Sequence, residues 1–461
     1  MRWVILILTL ALFVGAGLYV AAGRGAVPAL VIEQPARFVG QNSTLQVTAG
    51  APRGHFGTLT IALEQGGRTI PLFSLDAPES ASMEQIAADQ IRVTRPLGKQ
   101  SVPDLQPGAA RIVVTASRPS FLNLRTLSST TTRDLEVRLE PPRIAVVSTH
   151  HYVNHGGSEM VVYRATPADV ASGVRVGGVE YPGFPAAGAG MQDPDGALRV
   201  AFFALLYDQD LAEPIAIFAR DEAGNESTAP FIDQTFAKPI RRSRIELDDR
   251  FLERAIPEIV QRSPEIQDAA KPGDRVAEFL AVNGALRRAN AQKIATISAA
   301  TAASKLWDGP FAQLGNSQVE AGFADHRTYY YGGREIDQQV HLGFDLAVTQ
   351  AVPIAAANAG KVLYADWLGI YGNCVIIDHG LGVSSLYAHL SSMEVSVGQT
   401  VTKGQTIGRS GMTGLAGGDH LHFTMLLGGN PVNPVEWWDP QWVRDRIDRK
   451  LAATASSVEP R

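Results

Sequence analysis

Residues 417–425 read "GGDHLHFTM" and set two histidines, His420 and His422, one residue apart between paired glycines and an apolar run. In an extended strand the side chains of residues i and i+2 point to one face, so both imidazoles lean into one site. Whether they bind a metal, move protons or pack depends on what else the chain brings to them. Six of the ten histidines lie between His326 and His422, a concentration that composition alone seldom produces. The stretch "HLGFDLA" (341–347) sets His341 and Asp345 four apart, expected to share a face of one extended strand, with Gly343 between them leaving room for an ion. One imidazole nitrogen, one carboxylate oxygen and a second imidazole from the closing strand make a set that leaves zinc an open fourth position. Zinc there polarises a carbonyl and brings its water to a pKa of about 7. Hydrolysis also needs proton transfers near neutral pH, a task for His389 in "LYAHL" and for one of the "HLH" pair.

The remaining chain narrows the alternatives. A length of 461 residues suggests three or four domains, and 45% apolar content is that of a folded protein. A formal charge of −5 without long charge blocks excludes nucleic acid as the expected partner. Cys374 is the single cysteine, so an intramolecular disulfide and a thiolate zinc cluster are both excluded, and any metal must use His, Asp or Glu. We read Cys374 as buried among strands and His379 in "IIDHG", like His326, as structural. The histidines of "THHYVNHGG", His150, His151 and His155, have no interleaved carboxylate and read as a surface strand and loop.

Residues 1–24 open with Arg2 and an uncharged apolar run from Trp3 to Ala22, long enough to cross a bilayer as a helix. A cleavable signal usually has a shorter apolar core, so we expect a retained signal-anchor. The start amine and Arg2 slightly outweigh Arg24 and favour a cytoplasmic N-terminus. The chain is then a single-pass protein of the cytoplasmic membrane with its bulk in the periplasm or cell-wall space.

Short β-rich runs such as "TLTIAL" and "ARIVVTAS", separated by Gly, Pro and Asn turns, predict a β-sandwich over residues 30–140. A second unit, 141–238, restarts after Pro141 and Pro142, and its "PIAIFARDEAGNES" resembles the last hairpin of bacterial immunoglobulin-like modules. Over 243–307 the period becomes helical. Leu247, Phe251, Leu252, Ala255, Ile256 and Ile259 form one stripe, "SPEIQDAAKPGDRV" breaks it, Asp274 caps a second helix, and a third segment runs from Ala291 to Leu306. This helical region reads as a linker, an arm over the next domain, or a partner surface. Alternating strands return over 311–440 as a compact antiparallel β domain. The tail, 441–461, is charged and then small and polar, and reads as a short helix running into disorder.

"HLGFDLA", "LYAHL" and "HLHF", in that order, resemble the HxxxD, H and HxH motifs of the M23 zinc metallopeptidases, the LytM/lysostaphin-type peptidoglycan endopeptidases. The resemblance covers roughly Phe311 to Trp438 and includes the hairpin "VSVGQTVTKGQTIGRSGMTG". It implies that His341, Asp345 and His422 bind Zn²⁺, while His389 and His420 stay beside the zinc water and assist attack and proton transfer. It implies a peptidoglycan substrate, cut in its stems or cross-links. Thr424 stands where the family often has an acidic residue, and the tyrosine that some members direct at the oxyanion finds no match in Tyr329, Tyr330 or Tyr331. The β modules and helices would hold the site shut, space it from the membrane, or engage cell-envelope proteins.

Two other classes remain. A non-hydrolysing envelope scaffold, or an activator of another wall hydrolase, would lack zinc. A periplasmic adaptor of an efflux pump would account for the anchor, the helices and the lipoyl-like hairpin, but has no use for HxxxD or HxH.

Overall fold

The computed structural model describes residues 2–52, 54–78, 81–120, 123–271 and 273–458. Met1, Pro272 and residues 459–461, which entered the readings above, lie outside the described residues. The architecture is multidomain and mainly β, with one N-terminal apolar helix, Arg2–Ala22, of mean hydropathy 2.6 over its most apolar window. At 1.5 Å per residue that helix is roughly 30 Å long, the thickness of a bilayer core.

The chain divides into two compact units. The first takes residues 1–142 together with a hairpin tip, residues 220–227. It holds a four-stranded and a five-stranded sheet, and alternation along the strands sends Leu45, Val47, Leu59, Ile61, Leu63, Ile112 and Val114 into a core without solvent contact. Asn225, in the tip, caps its own turn through Asp221 and donates to the Arg138 carbonyl at 2.7 Å.

The second unit takes residues 143–219 and 228–461. Its centre is an eight-stranded sheet in which Phe344–Ala347, His420–Leu427, Val383–Leu390, Asn373–Gly380 and Gly360–Trp367 are successive neighbours. Strand alternation gives this sheet two different faces. Leu421, Phe423, Met425 and Leu427 point into a large core shared with Trp307, Phe311, Trp437 and the upstream strands Ser158–Thr166 and Leu198–Ala204. His420, His422, Thr424 and Leu426 occupy the opposite face.

The helical region covers part of that opposite face. Asp248 caps Asp249–Gln261 by accepting from Phe251 N at 2.7 Å, and Asp274 caps the next helix by accepting from Ala277 N, as its position before the apolar stripe predicts. The predicted second and third helices are one run: Arg275–Leu280 continues through a π-helical turn, Ala281–Leu286, into Arg287–Ser298. Ile294 buries against Cys374, Ile376, Leu386 and Leu426. The helix does not reach Leu306. The buried Asp378 carboxylate accepts from Thr301 Oγ1 and from Ala302 N, so the chain turns out of the helix and runs along strands instead. Residues Arg242–Leu247, expected to open the helical region, form a strand parallel to Asp325–Tyr331.

The tail is helical from Pro440 to Val458. Its Lys450 is buried and donates to the fully buried Glu159 at 2.8 Å, a partner the sequence cannot announce across that separation. Nearby, Trp437 has no solvent contact and donates its indole N–H to Ser158 Oγ. Its neighbour Glu436 accepts from Asn154 Nδ2 and from Ser158 N, both at 2.6 Å.

Burial, opposed by these two donors, raises the Glu436 carboxyl from 4.5 to about 7. A carboxyl raised in the folded state binds more protons there than in the unfolded chain. Its stabilisation is therefore present at low pH and lost as pH rises through about 7. Urea denaturation at stepped pH should show stability falling by up to about 3 kcal/mol between pH 4.5 and 8 on this account. Glu436→Gln should flatten that slope relative to wild type, and an unchanged slope would assign it to other groups.

Candidate metal centre

His341 and Asp345 do not share one strand. Arg334–His341 belongs to a three-stranded sheet and Phe344–Ala347 to the eight-stranded one, and the chain crosses between them at Leu342–Gly343. The two residues converge because the break turns them toward each other, and Asp345 stands directly opposite His422 in the neighbouring strand. His341 Nε2, Asp345 Oδ1 and His422 Nδ1 form a triangle with sides of 2.9, 3.0 and 3.1 Å. A tetrahedral zinc with bonds near 2.0–2.1 Å has ligand–ligand edges of about 3.3 Å, so this triangle fits one face and leaves the fourth direction free. Among the described residues no other three His, Cys, Asp or Glu groups converge this way.

Each ring is held in one tautomer. His341 donates Nδ1–H to the Gly322 carbonyl at 3.0 Å, His389 to Thr413 O at 2.7 Å and His420 to Gly418 O at 2.9 Å. Their Nε2 lone pairs are thereby left for the site. His422 is reversed. Thr424 Oγ1 donates to Leu342 O at 3.0 Å, so its own oxygen accepts from His422 Nε2–H, and Nδ1 faces the triangle. Thr424, a departure from the family pattern, thus orients a candidate ligand. Gly343 was expected to clear space for an ion, but the crowding there is from protein: a Cβ would sit 2.6 Å from His422 Nε2 and from Thr424 Oγ1.

His389 reaches the site by a bulge. Ala388 pairs with His422 and shares its face, so regular alternation would turn His389 away. An extra residue opposite Cys374 and a left-handed backbone, φ +61°, swing it back. Its ring centroid lies 4.8 Å from that of His420 and 5.7 Å from that of His422. All five side chains are buried.

The electrostatics separate them. Burial would raise Asp345, but the hydrogen bonds and charge of His341, His420 and His422 override it and hold the carboxyl well below the usual range. Burial, aided by neighbouring imidazoles, lowers His389 well below its ordinary value and His422 to about 4. Burial also opposes protonation of His420, yet Asp345, 3.4 Å from its Nε2, outweighs it and raises this histidine.

Two neighbours escaped the reading of the sequence. Arg327 donates to the outer oxygen of Asp345 at 2.9 Å, from the strand paired with Arg334–His341. The alternation of Asp325, Arg327 and Tyr329 is visible in "DHRTYYY", but not which strand lies beside it. Tyr371 stands in a short turn, Gly369–Tyr371, pinned by Asn290 Oδ1 accepting from Ile370 N at 3.0 Å. Its ring centroid is 5.5 Å from that of His422, so "GIYGN", not the upstream tyrosine run, brings a phenol to the site. The glycines flanking this tyrosine before a strand were the available signal.

The other candidates stay apart. His379 bonds to Ala359 O and Ser385 Oγ inside the core. His151 is buried against Ser148 Oγ, and His155 donates to Gln209 O. Cys374 has no solvent contact.

A sequence model described as Peptidase family M23 matches residues 339–434. The DD-carboxypeptidase/endopeptidase Mpg of Neisseria meningitidis is 42% identical over 97 residues, 21% of this chain and 22% of that protein. The peptidoglycan DD-endopeptidase ShyA of Vibrio cholerae is 38% identical over 96 residues, with shares of 21% and 22%. The match thus spans about a fifth of the length of these curated relatives. Among solved structures, the catalytic domain of the antimicrobial peptidase lysostaphin from Staphylococcus simulans is 28% identical, covers 27% of this chain and 92% of that one, and has a TM-score of 0.23. Through residues 339–434 the chain carries a Peptidase family M23 domain.

Proposed function

We propose that this protein is a zinc-dependent endopeptidase that hydrolyses peptide bonds in peptidoglycan stems or cross-links, held at the cytoplasmic membrane by the Arg2–Ala22 helix with its bulk exported. The observation that carries the reading is the His341–Asp345–His422 triangle with two further tautomer-fixed imidazoles at its open side. The relatives named for cutting peptidoglycan support the substrate class. On this reading the two upstream β units are immunoglobulin-like spacers, and the hairpin near Thr400–Arg409 has lipoyl-like topology.

His341, Asp345 and His422 would hold the metal. Zinc in such a site supplies a hydroxide-like nucleophile at neutral pH and polarises the scissile carbonyl. His389, neutral because burial disfavours its charged form, accepts a proton at Nε2. His420, the histidine that Asp345 biases toward the charged form, donates one to the leaving amine. Tyr371 offers a phenolic O–H to the developing oxyanion. Arg327 keeps the outer oxygen of Asp345 engaged, so the inner oxygen stays turned to His341 and His422, with which it would hold the metal.

Metal analysis and digestion of purified sacculi test these assignments together. His422→Ala should lose zinc and activity, whereas His420→Ala should retain about one zinc per chain and lose kcat by about 10²–10⁴-fold. Equal zinc loss in both would overturn the division of roles. Tyr371→Phe should keep zinc and lower kcat by roughly 10²-fold, the effect of removing one oxyanion donor. Arg327→Leu should weaken zinc retention against a chelator by about 10–100-fold. Zinc-replete wild type that leaves sacculi intact, and releases no stem or cross-link fragments by mass, would favour the scaffold reading over the enzyme.

A further inference from the structure

The cavity that reaches the metal-capable triangle, about 660 Å³, is not lined by the M23 segment alone. One wall comes from the helical arm and includes Arg287 at the start of Arg287–Ser298. Its guanidinium is fixed from behind. Nη2 donates to Asn283 Oδ1 at 2.6 Å and Nε to Asn283 O at 3.2 Å, while Asn283, without solvent contact, donates Nδ2 to Asp337 Oδ2 at 2.7 Å. Asn283 lies within the π-helical turn, a departure from α geometry that recurs at functional sites.

What Arg287 lacks is a carboxylate: among the described residues none lies within 4.0 Å of it. Besides Asp345 and Glu320, the acids that line the same cavity are engaged elsewhere. Asp325 accepts from Ser243 and pairs with Arg327, Asp248 caps a helix, and Glu246 pairs with Arg244. Arg287 has five N–H donors, and Asn283 takes two. Tyr371, whose ring is 5.5 Å from that of His422, lines the same cavity. A half-buried, pre-oriented cation on the wall of the cavity that the metal-capable group also lines matches an anionic group of the substrate.

We propose that Arg287 is a specificity-determining residue that binds a substrate carboxylate close to the scissile bond, so that the site selects acidic peptides with a free carboxylate over their amides. The planar guanidinium takes a carboxylate through two parallel hydrogen bonds, which a neutral amide cannot accept. The inference rests on the peptidase reading above. The carboxylate could belong to a free C-terminus or to the diamino acid of a cross-link, and substrates amidated at one position or the other separate these sources.

The test uses the full chain, zinc-loaded in detergent, with a stem-peptide dimer carrying both carboxylates and its singly amidated forms. Calorimetric binding and kcat/KM are both measured. Wild type should prefer the acid at one of the two positions by at least tenfold. Arg287→Met should lose about 10–100-fold in KM on the acid with little change in kcat, should hold zinc as wild type does, and should bind acid and amide alike. Arg287→Lys should recover part of the preference as a point charge. Equal binding of acid and amides by wild type, or a preference unchanged in Arg287→Met, overturns the carboxylate assignment. Preferential binding without any hydrolysis supports the subsite and overturns the peptidase reading instead.

Discussion

One carboxylate governs the centre. A single oxygen of Asp345 stands within 3.4 Å of nitrogens from His341, His420 and His422, while its other oxygen accepts from Arg327. A buried carboxylate is tolerated only when it is surrounded by donors or by a cation. The surrounding rings must then be aimed, and here the aiming is done by groups outside the site: the carbonyls of Gly322, Thr413 and Gly418, and the hydroxyl of Thr424. Loops that look like connections, such as the one carrying Gly418, therefore determine which nitrogen each histidine offers.

The five candidate residues could be picked out because metal-assisted hydrolysis demands few residue types at short spacings, and their side chains converge in the structure. Strand alternation accounts for only part of that convergence. Alternation does put His420 and His422 on one face, but His341 and Asp345 meet across a break between two sheets, and His389 needs a bulge and a left-handed backbone. Bulges and breaks are set by pairing with distant strands, and spacing alone carries no register. Arg327 and Tyr371 were missed for the same reason, since each reaches the site through a neighbour far off in the chain.

At the level of architecture, the N-terminal apolar helix, the mainly β character and the onset of helical periodicity were legible from local pattern. The extent of the helical arm was not. The apolar stripe of residues 291–306 predicts a helix throughout, yet Asp378 captures Thr301 and Ala302 and ends it early. The tail illustrates the same limit, because a lysine in a polar, alanine-rich segment gives no hint of a buried glutamate partner in a distant strand.

The family match begins at residue 339, inside the strand Arg334–His341. That strand is completed by Asp325–Tyr331, which in turn is completed by Arg242–Leu247, and the face bearing the histidines is roofed by the arm. The unit that is recognisable by homology is thus smaller than the unit that is packed and paired around the site. A fragment cut at the homology boundary would carry every candidate metal ligand and still expose an open sheet edge and the uncovered apolar patch beneath Ile294. Inheritance of the chemistry and inheritance of its scaffold follow different borders in this chain.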